Sequence, residues 1–171
     1  MTLLLAALLA GPLSGSGIWL DVPYTSQLEN GCGSAVAWMV TEYWSSKTGR
    51  PALGHSLEDI HKTLYSEELG GVRTTRLEEF FRSMDFHAFG VAGTWTDIEE
   101  HLARGRPLIA ALDPVGLKAP LHYVAIVGID VARNLVLLND PATRKLARMD
   151  RAHFEKQWEG TSNWMLLAIP R

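Results

Sequence analysis

Apolar residues recur with a helical period as far as Gly105 and with a strand pattern beyond it, and this single change limits the folds open to the chain. From Cys32 to about Ser45, CGSAVAWMVTEYWS places Val36, Met39, Val40 and Tyr43 at helical spacing, and Thr48-Gly49 closes the helix. SLEDIHKTL opens on Ser56 with Asp59 three residues on, and TRLEEFFRSM opens on Thr75 with Glu78, both in a capping-box pattern. TWTDIEEHLARG starts at Thr94 or Thr96 and stops at Gly105. After it, RPLIAAL (106–112), HYVAIVGID (122–130) and NLVLLND (134–140) are short β-rich runs, the last two joined by a tight ARN turn. A short helix, DRAHFEKQW (150–158), precedes a last strand, NWMLLAI (163–169). Helices first and antiparallel strands second predict an α+β fold. IWLDVPY (18–24) stands ahead of them as an extended segment, because Pro23 keeps Val22 out of a helix.

A chain of 171 residues suits one domain with a core of its own. Residues 18–171 form that domain in this reading, and 1–17 stand apart from it. Leu3–Ala10 is an apolar run of eight residues, far short of the about 20 that span a bilayer. It has the length of a signal-peptide core, and Ser14 and Ser16 supply small residues for cleavage. No Lys or Arg precedes the run, so two expectations stand: an exported protein, or a cytoplasmic one whose N-terminal segment packs on the domain. A net charge of −3 with no basic cluster argues against a nucleic-acid footprint. The lone cysteine excludes an intrachain disulfide and any CxxC metal or redox site, so no metal or cofactor is expected. The expected partner is a peptide or protein substrate, and the expected state a monomer.

That cysteine, Cys32, lies in QLENGCGS, where the extended segment hands over to the helix. Helix N-termini favour anions, so a thiolate is stabilised there, and the thiolate is the nucleophilic form. Gly31 and Gly33 remove side chains on both sides, which would let a substrate backbone approach. The Gln27 amide and the Cys32 backbone N–H together would supply two donors to an acyl oxyanion. The same stretch is also consistent with a capped helix start around a small buried thiol.

A thiolate nucleophile needs a base. Of the six histidines, His61 and His101 fall on charged helices and read as solvent-facing, while His55, His87 and His153 have no evident carboxylate partner. His122 opens the most apolar strand, and Asp140 ends the next one just before Pro141. Pairing through the ARN turn would set the two side by side at the open end of the hairpin. A carboxylate on one imidazole nitrogen leaves the other to face the thiol. Trp38 and Trp158 read as core; Trp95 and Trp164 carry no assigned role.

The segments VPYTSQLENGCGSAVAWMV, GRPLIAAL, HYVAIVGID and VLLNDP, in that order, resemble the papain-fold cysteine peptidases of the bacteriocin leader-processing, double-glycine type, especially their free-standing forms. The resemblance runs from about Trp19 to Ile169. It implies a papain-like fold, with the nucleophile at the N-terminus of a helix in an N-terminal helical half that packs on a C-terminal antiparallel sheet. It also implies a thioester acyl-enzyme, with Cys32 as nucleophile, His122 as base and acid, Asp140 as its orienter and Gln27 as oxyanion donor. Two positions depart from the pattern: Gly31 stands where members often carry an acidic residue, and Ser34 where they often carry proline. Papain-like folds also host acyl or peptidyl transferases and catalytically silent peptide binders.

Overall fold

The computed structural model describes residues 17–49, 55–116 and 121–171. The apolar run at 3–10 and the signal-peptide expectation lie outside the described residues. Among the described residues seven strands form one antiparallel sheet, in the order β4 (Phe86–Ala92), β9 (Trp164–Pro170), β5 (Leu108–Leu112), β6 (His122–Asp130), β7 (Leu135–Asp140) and β8 (Arg144–Asp150), with β1 (Ile18–Trp19) beside β6, and β2 (Tyr65–Ser66) and β3 (Gly71–Val72) form a separate hairpin. Among the described residues no helix is long and apolar enough to cross a membrane.

Helix α1 (Cys32–Thr48) is buried almost all round, from Gly33 through Met39 to Tyr43, because it lies between the sheet and α2 (Leu57–Leu64). Gly49, at φ +66°, ends it in the left-handed conformation that glycine adopts at least strain. The Ser56–Asp59 capping box forms at the start of α2, and Thr94–Asp97 forms the same box on α4 (Trp95–Ala103). The one expected on Thr75 and Glu78 does not. Helix α3 (Thr74–Ser83) begins after Arg73, and Glu78 instead receives Arg82 at 2.7 Å and fills the space beside Gly90.

Strands β5 (Leu108–Leu112), β6 (His122–Asp130), β7 (Leu135–Asp140) and β9 (Trp164–Pro170) fall where the sequence places them, and α5 (Arg151–Glu159) follows its Asp150 cap. Three elements were not expected. These are β4 (Phe86–Ala92) inside the helical half, the β2-β3 hairpin, and β8 (Arg144–Asp150), a charged edge strand.

The helices also divide between the two faces of the sheet. Ile109, Ala111, Tyr123 and Ala125 pack with α1, α2 and α3, whereas Leu108, Ala110, Val124 and Ile126 pack with Ile98, Leu102, Phe154 and Trp158 of α4 and α5. Covering on both faces explains why β5 and β6 are continuous apolar runs and not alternating ones. Helix α1 packs on both β5 and β6.

Candidate active site

Cys32 is the first residue of α1, with Gly31 as its N-cap and no side-chain cap bond, so the first-turn N–H groups are not taken by a capping side chain. Its sulfur lies 3.8 Å from the Leu121 carbonyl, directly before His122, and Cys32 is near enough to the imidazole to help raise its pKa. His122 Nε2 lies 2.7 Å from Asp140 Oδ1. With Nε2 committed to the carboxylate, Nδ1 is the ring nitrogen left for the thiol.

The pairing of β6 with β7 is less direct than the sequence implied. A bulge shifts the ladder between Ile126 and Gly128, and Asn139 pairs with Ala125, so Asp140 falls two positions away from a direct pairing with His122. The side chains close that diagonal, which long side chains can span. Asp140 is held from several sides: Oδ1 accepts from the Ala142 N–H at 3.0 Å and Oδ2 from the Thr143 hydroxyl at 2.9 Å. Burial works to raise the Asp140 pKa, but these donors and the His122 hydrogen bond and charge hold it below the usual carboxylate range. Burial likewise works to lower the His122 pKa. The hydrogen bonds to Asp140 and Cys32, with the charges of both groups, outweigh it and raise the imidazole from 6.5 to about 9.

The NDP turn organises the other half of the site. Asn139, fully buried, donates to the carbonyls of Val22 and Pro23, and its Oδ1 accepts from the Leu146 N–H. The Pro141 carbonyl accepts from the Gln27 N–H at 3.0 Å. Gln27 therefore sits on the same turn as Asp140 and lines the same cleft as Cys32 and His122. Its Oε1 is enclosed without a partner.

The cleft encloses about 790 Å³. It is lined by Gln27, Asn30 and Cys32, by Leu69–Val72 of the β2-β3 hairpin and the start of α3, and by Asp113, Leu121, His122 and Tyr123. Tyr123 ties β6 to the hairpin by donating its hydroxyl to the Val72 carbonyl at 3.0 Å. Burial, then the charge of Cys32, pushes this hydroxyl above its usual range, so it remains a neutral donor.

Gly31 and Gly33 also allow close packing. A Cβ at Gly33 would stand 2.7 Å from Val72 Cβ, and one at Gly31 would stand 3.1 Å from His61 Nδ1. Both glycines are buried, and neither is among the cleft-lining residues. His61 and His101 are half-buried and not solvent-facing, and His61 bonds Ser34 at 3.2 Å. No local pattern marks Tyr123, Asn139 or His61, since each reaches this region through a contact between elements distant in the chain. Among the described residues no three His, Cys, Asp or Glu side chains converge as metal ligands.

A thiol at a helix start and an imidazole–carboxylate pair at a strand end, set in a helix-and-antiparallel-sheet fold, define a papain-like cysteine peptidase architecture. Residues 19–165 match the model of the Peptidase_C39 like family, and the chain belongs to that family of cysteine peptidases. No curated protein matches the sequence. Among solved structures, a C39-like peptidase from Bacillus anthracis is similar at a TM-score of 0.73 with 14% identity, covering 91% of this chain and 98% of that one. A double glycine motif protease from an AMS/PCAT transporter, in complex with the leader peptide, gives 0.67 with 19% identity and 90% and 94% coverage. The peptidase domain of Streptococcus ComA gives 0.66 with 18% identity and 86% and 97% coverage.

Proposed function

We propose that the chain cleaves a peptide bond through Cys32, His122 and Asp140, by way of a thioester. The observation that carries this reading is the position of His122, whose Nε2 lies 2.7 Å from Asp140 Oδ1 while the ring lines the same cleft as Cys32 at the start of α1. The Cys32 thiolate adds to the scissile carbonyl, and the developing oxyanion takes hydrogen bonds from the Cys32 N–H and the Gln27 amide. His122, protonated in the resting pair, gives its proton to the leaving amine. The ring then takes a proton from water as that water attacks the thioester, and the acid product leaves with the thiolate restored.

A catalytically silent binder has no chemical need for this arrangement. Transfer to an amine instead of water would use the same thioester. The leader peptide bound by the AMS/PCAT transporter protease is that protein's ligand. Here the open cleft between hairpin and sheet supports an extended peptide as substrate. Leu3–Ala10 with Ser14 and Ser16 supports an exported enzyme.

The test is a defined peptide library incubated with the protein and read by mass spectrometry for new termini. Cleavage is expected, and it should vanish after iodoacetamide treatment. An unchanged library, or cleavage that survives alkylation, would overturn the reading. The pH dependence carries a sign. Because the imidazole is raised to about 9, His122 keeps the proton it must donate at neutral pH. Turnover should therefore fall as pH rises through about 9, and a falling limb near pH 6.5 would show that Asp140 and Cys32 do not hold the charge.

A further inference from the structure

Two residues of the nucleophile turn, one on either side of Cys32, touch the same side chain. Gly31 leaves just enough room for the His61 ring: a Cβ there would stand 3.1 Å from Nδ1 and 3.2 Å from Cε1. Ser34 is fully buried, and its hydroxyl lies 3.2 Å from His61 Nδ1. The ring also stacks on Tyr65 with centroids 4.8 Å apart, and Tyr65 pairs with Val72, a residue of the cleft wall. One imidazole on α2 thus touches both the turn that presents the thiol and the hairpin that walls the cleft.

Thr41 and Thr48 of α1 bond back to the carbonyls four residues earlier, those of Ala37 and Trp44, each at 2.8 Å. Ser34 stands in the first turn, where the residue four earlier, Asn30, precedes the helix, and its hydroxyl is turned to His61. Either direction of the bond is chemically available, since Nδ1 accepts in one neutral tautomer and donates in the other. Gly31 and Ser34 are also the two positions that depart from the family pattern described above. A side chain at 31 would crowd the ring, and a proline at 34 would offer it no hydroxyl, so the three residues form one unit.

We propose that His61 is a positioning residue for the proposed reaction, acting through Gly31 and Ser34 to hold the Cys32 N–H where the acyl oxyanion forms. This rests on the thioester reading above. His61 is absent from the cleft lining, so it does not touch substrate. Its effect belongs to steps that develop an oxyanion and not to the nucleophilicity of the thiol, which His122 controls.

Two probes separate these effects without knowledge of the substrate. Iodoacetamide alkylates the thiolate by displacing iodide and forms no oxyanion. With p-nitrophenyl acetate, the thiolate adds to the ester carbonyl, the carbonyl oxygen becomes an oxyanion, and p-nitrophenolate leaves to give the acetyl thioester. His61→Ala is expected to leave the alkylation rate within about twofold of the native protein. It should slow the p-nitrophenolate burst by about tenfold or more, as expected for a displaced oxyanion donor. His61→Asn, whose amide reaches the Nδ1 position, should recover most of the burst. Ser34→Ala should reproduce the slowing, and the double variant should be no slower than His61→Ala.

A burst at native rate in His61→Ala and Ser34→Ala would overturn the proposal. So would an equal loss against both probes, which would mean that the ring serves only the fold. If the native protein itself alkylates no faster than its His122→Ala form, the thioester reading fails and the role of His61 fails with it, an outcome told apart from the others by the native protein alone.

Discussion

His122→Ala is expected to slow the alkylation of Cys32 by iodoacetamide at pH 6 by a factor on the order of 100, and to abolish peptide cleavage. A thiol with no partner is ionised to only about 0.3% at pH 6, so its reactivity there is low and rises tenfold per pH unit up to about 8.5. In the native site the imidazole is raised to about 9 and so carries a proton at pH 6, in the same cleft as a thiol at a helix N-terminus. The measurement is the second-order rate constant from pH 5 to 10 in both proteins. The native protein should give a rate nearly flat through neutral pH, and the variant the curve of an ordinary thiol. Coincident curves would remove His122 from the chemistry and with it the peptidase mechanism. The fold should survive, because the His122 side chain lies at a strand end, 23% exposed, outside the two apolar clusters.

The second large effect belongs to Asp140, and two substitutions separate its two tasks. Asp140→Ala removes the acceptor for His122 Nε2, together with those for the Ala142 N–H and the Thr143 hydroxyl. Turnover should fall by about 10² to 10⁴, the range set by loss of imidazole orientation. Asp140→Asn keeps one oxygen acceptor but loses the charge, so its turnover should fall less. Its falling pH limb should move from about 9 toward 6.5, because hydrogen bonding and charge from Asp140 both raise His122. An Asp140→Asn limb that stays near 9 would mean that another group supplies the charge.

Linkage gives an independent readout in the same variants. His122 is raised, so its share of stability is complete below pH 6.5 and is lost as pH rises through about 9. Asp140 is lowered, so its share is present above the usual carboxylate range and is lost in acid. Thermal melts of Asp140→Asn should therefore differ most from native between those limits and converge at both ends.

The residues alone were enough for much of this. The helical periods, the Ser56 and Thr94 caps and the apolar runs of β5, β6, β7 and β9 are local signals, carried within a few residues of the structure they specify. Cys32 at a helix start, and His122 and Asp140 on adjacent strand ends, follow from such signals plus one hairpin. Other features depend on partners that no local pattern announces. The two-residue strands β2 and β3 are too short to show a period, and β8 is charged along its length and becomes a strand only by pairing with β7. The β6-β7 ladder closes at Asp130 and Leu135, and the bulge in β6 brings Asp140 only to within two positions of His122, so the contact is diagonal and not opposite. Glycines on both sides of a cysteine look like an opening for substrate. Only packing shows that Val72 and His61 already occupy the space where their side chains would be. Those contacts join α1 to a hairpin and a helix far along the chain, so they arise only once the domain is assembled.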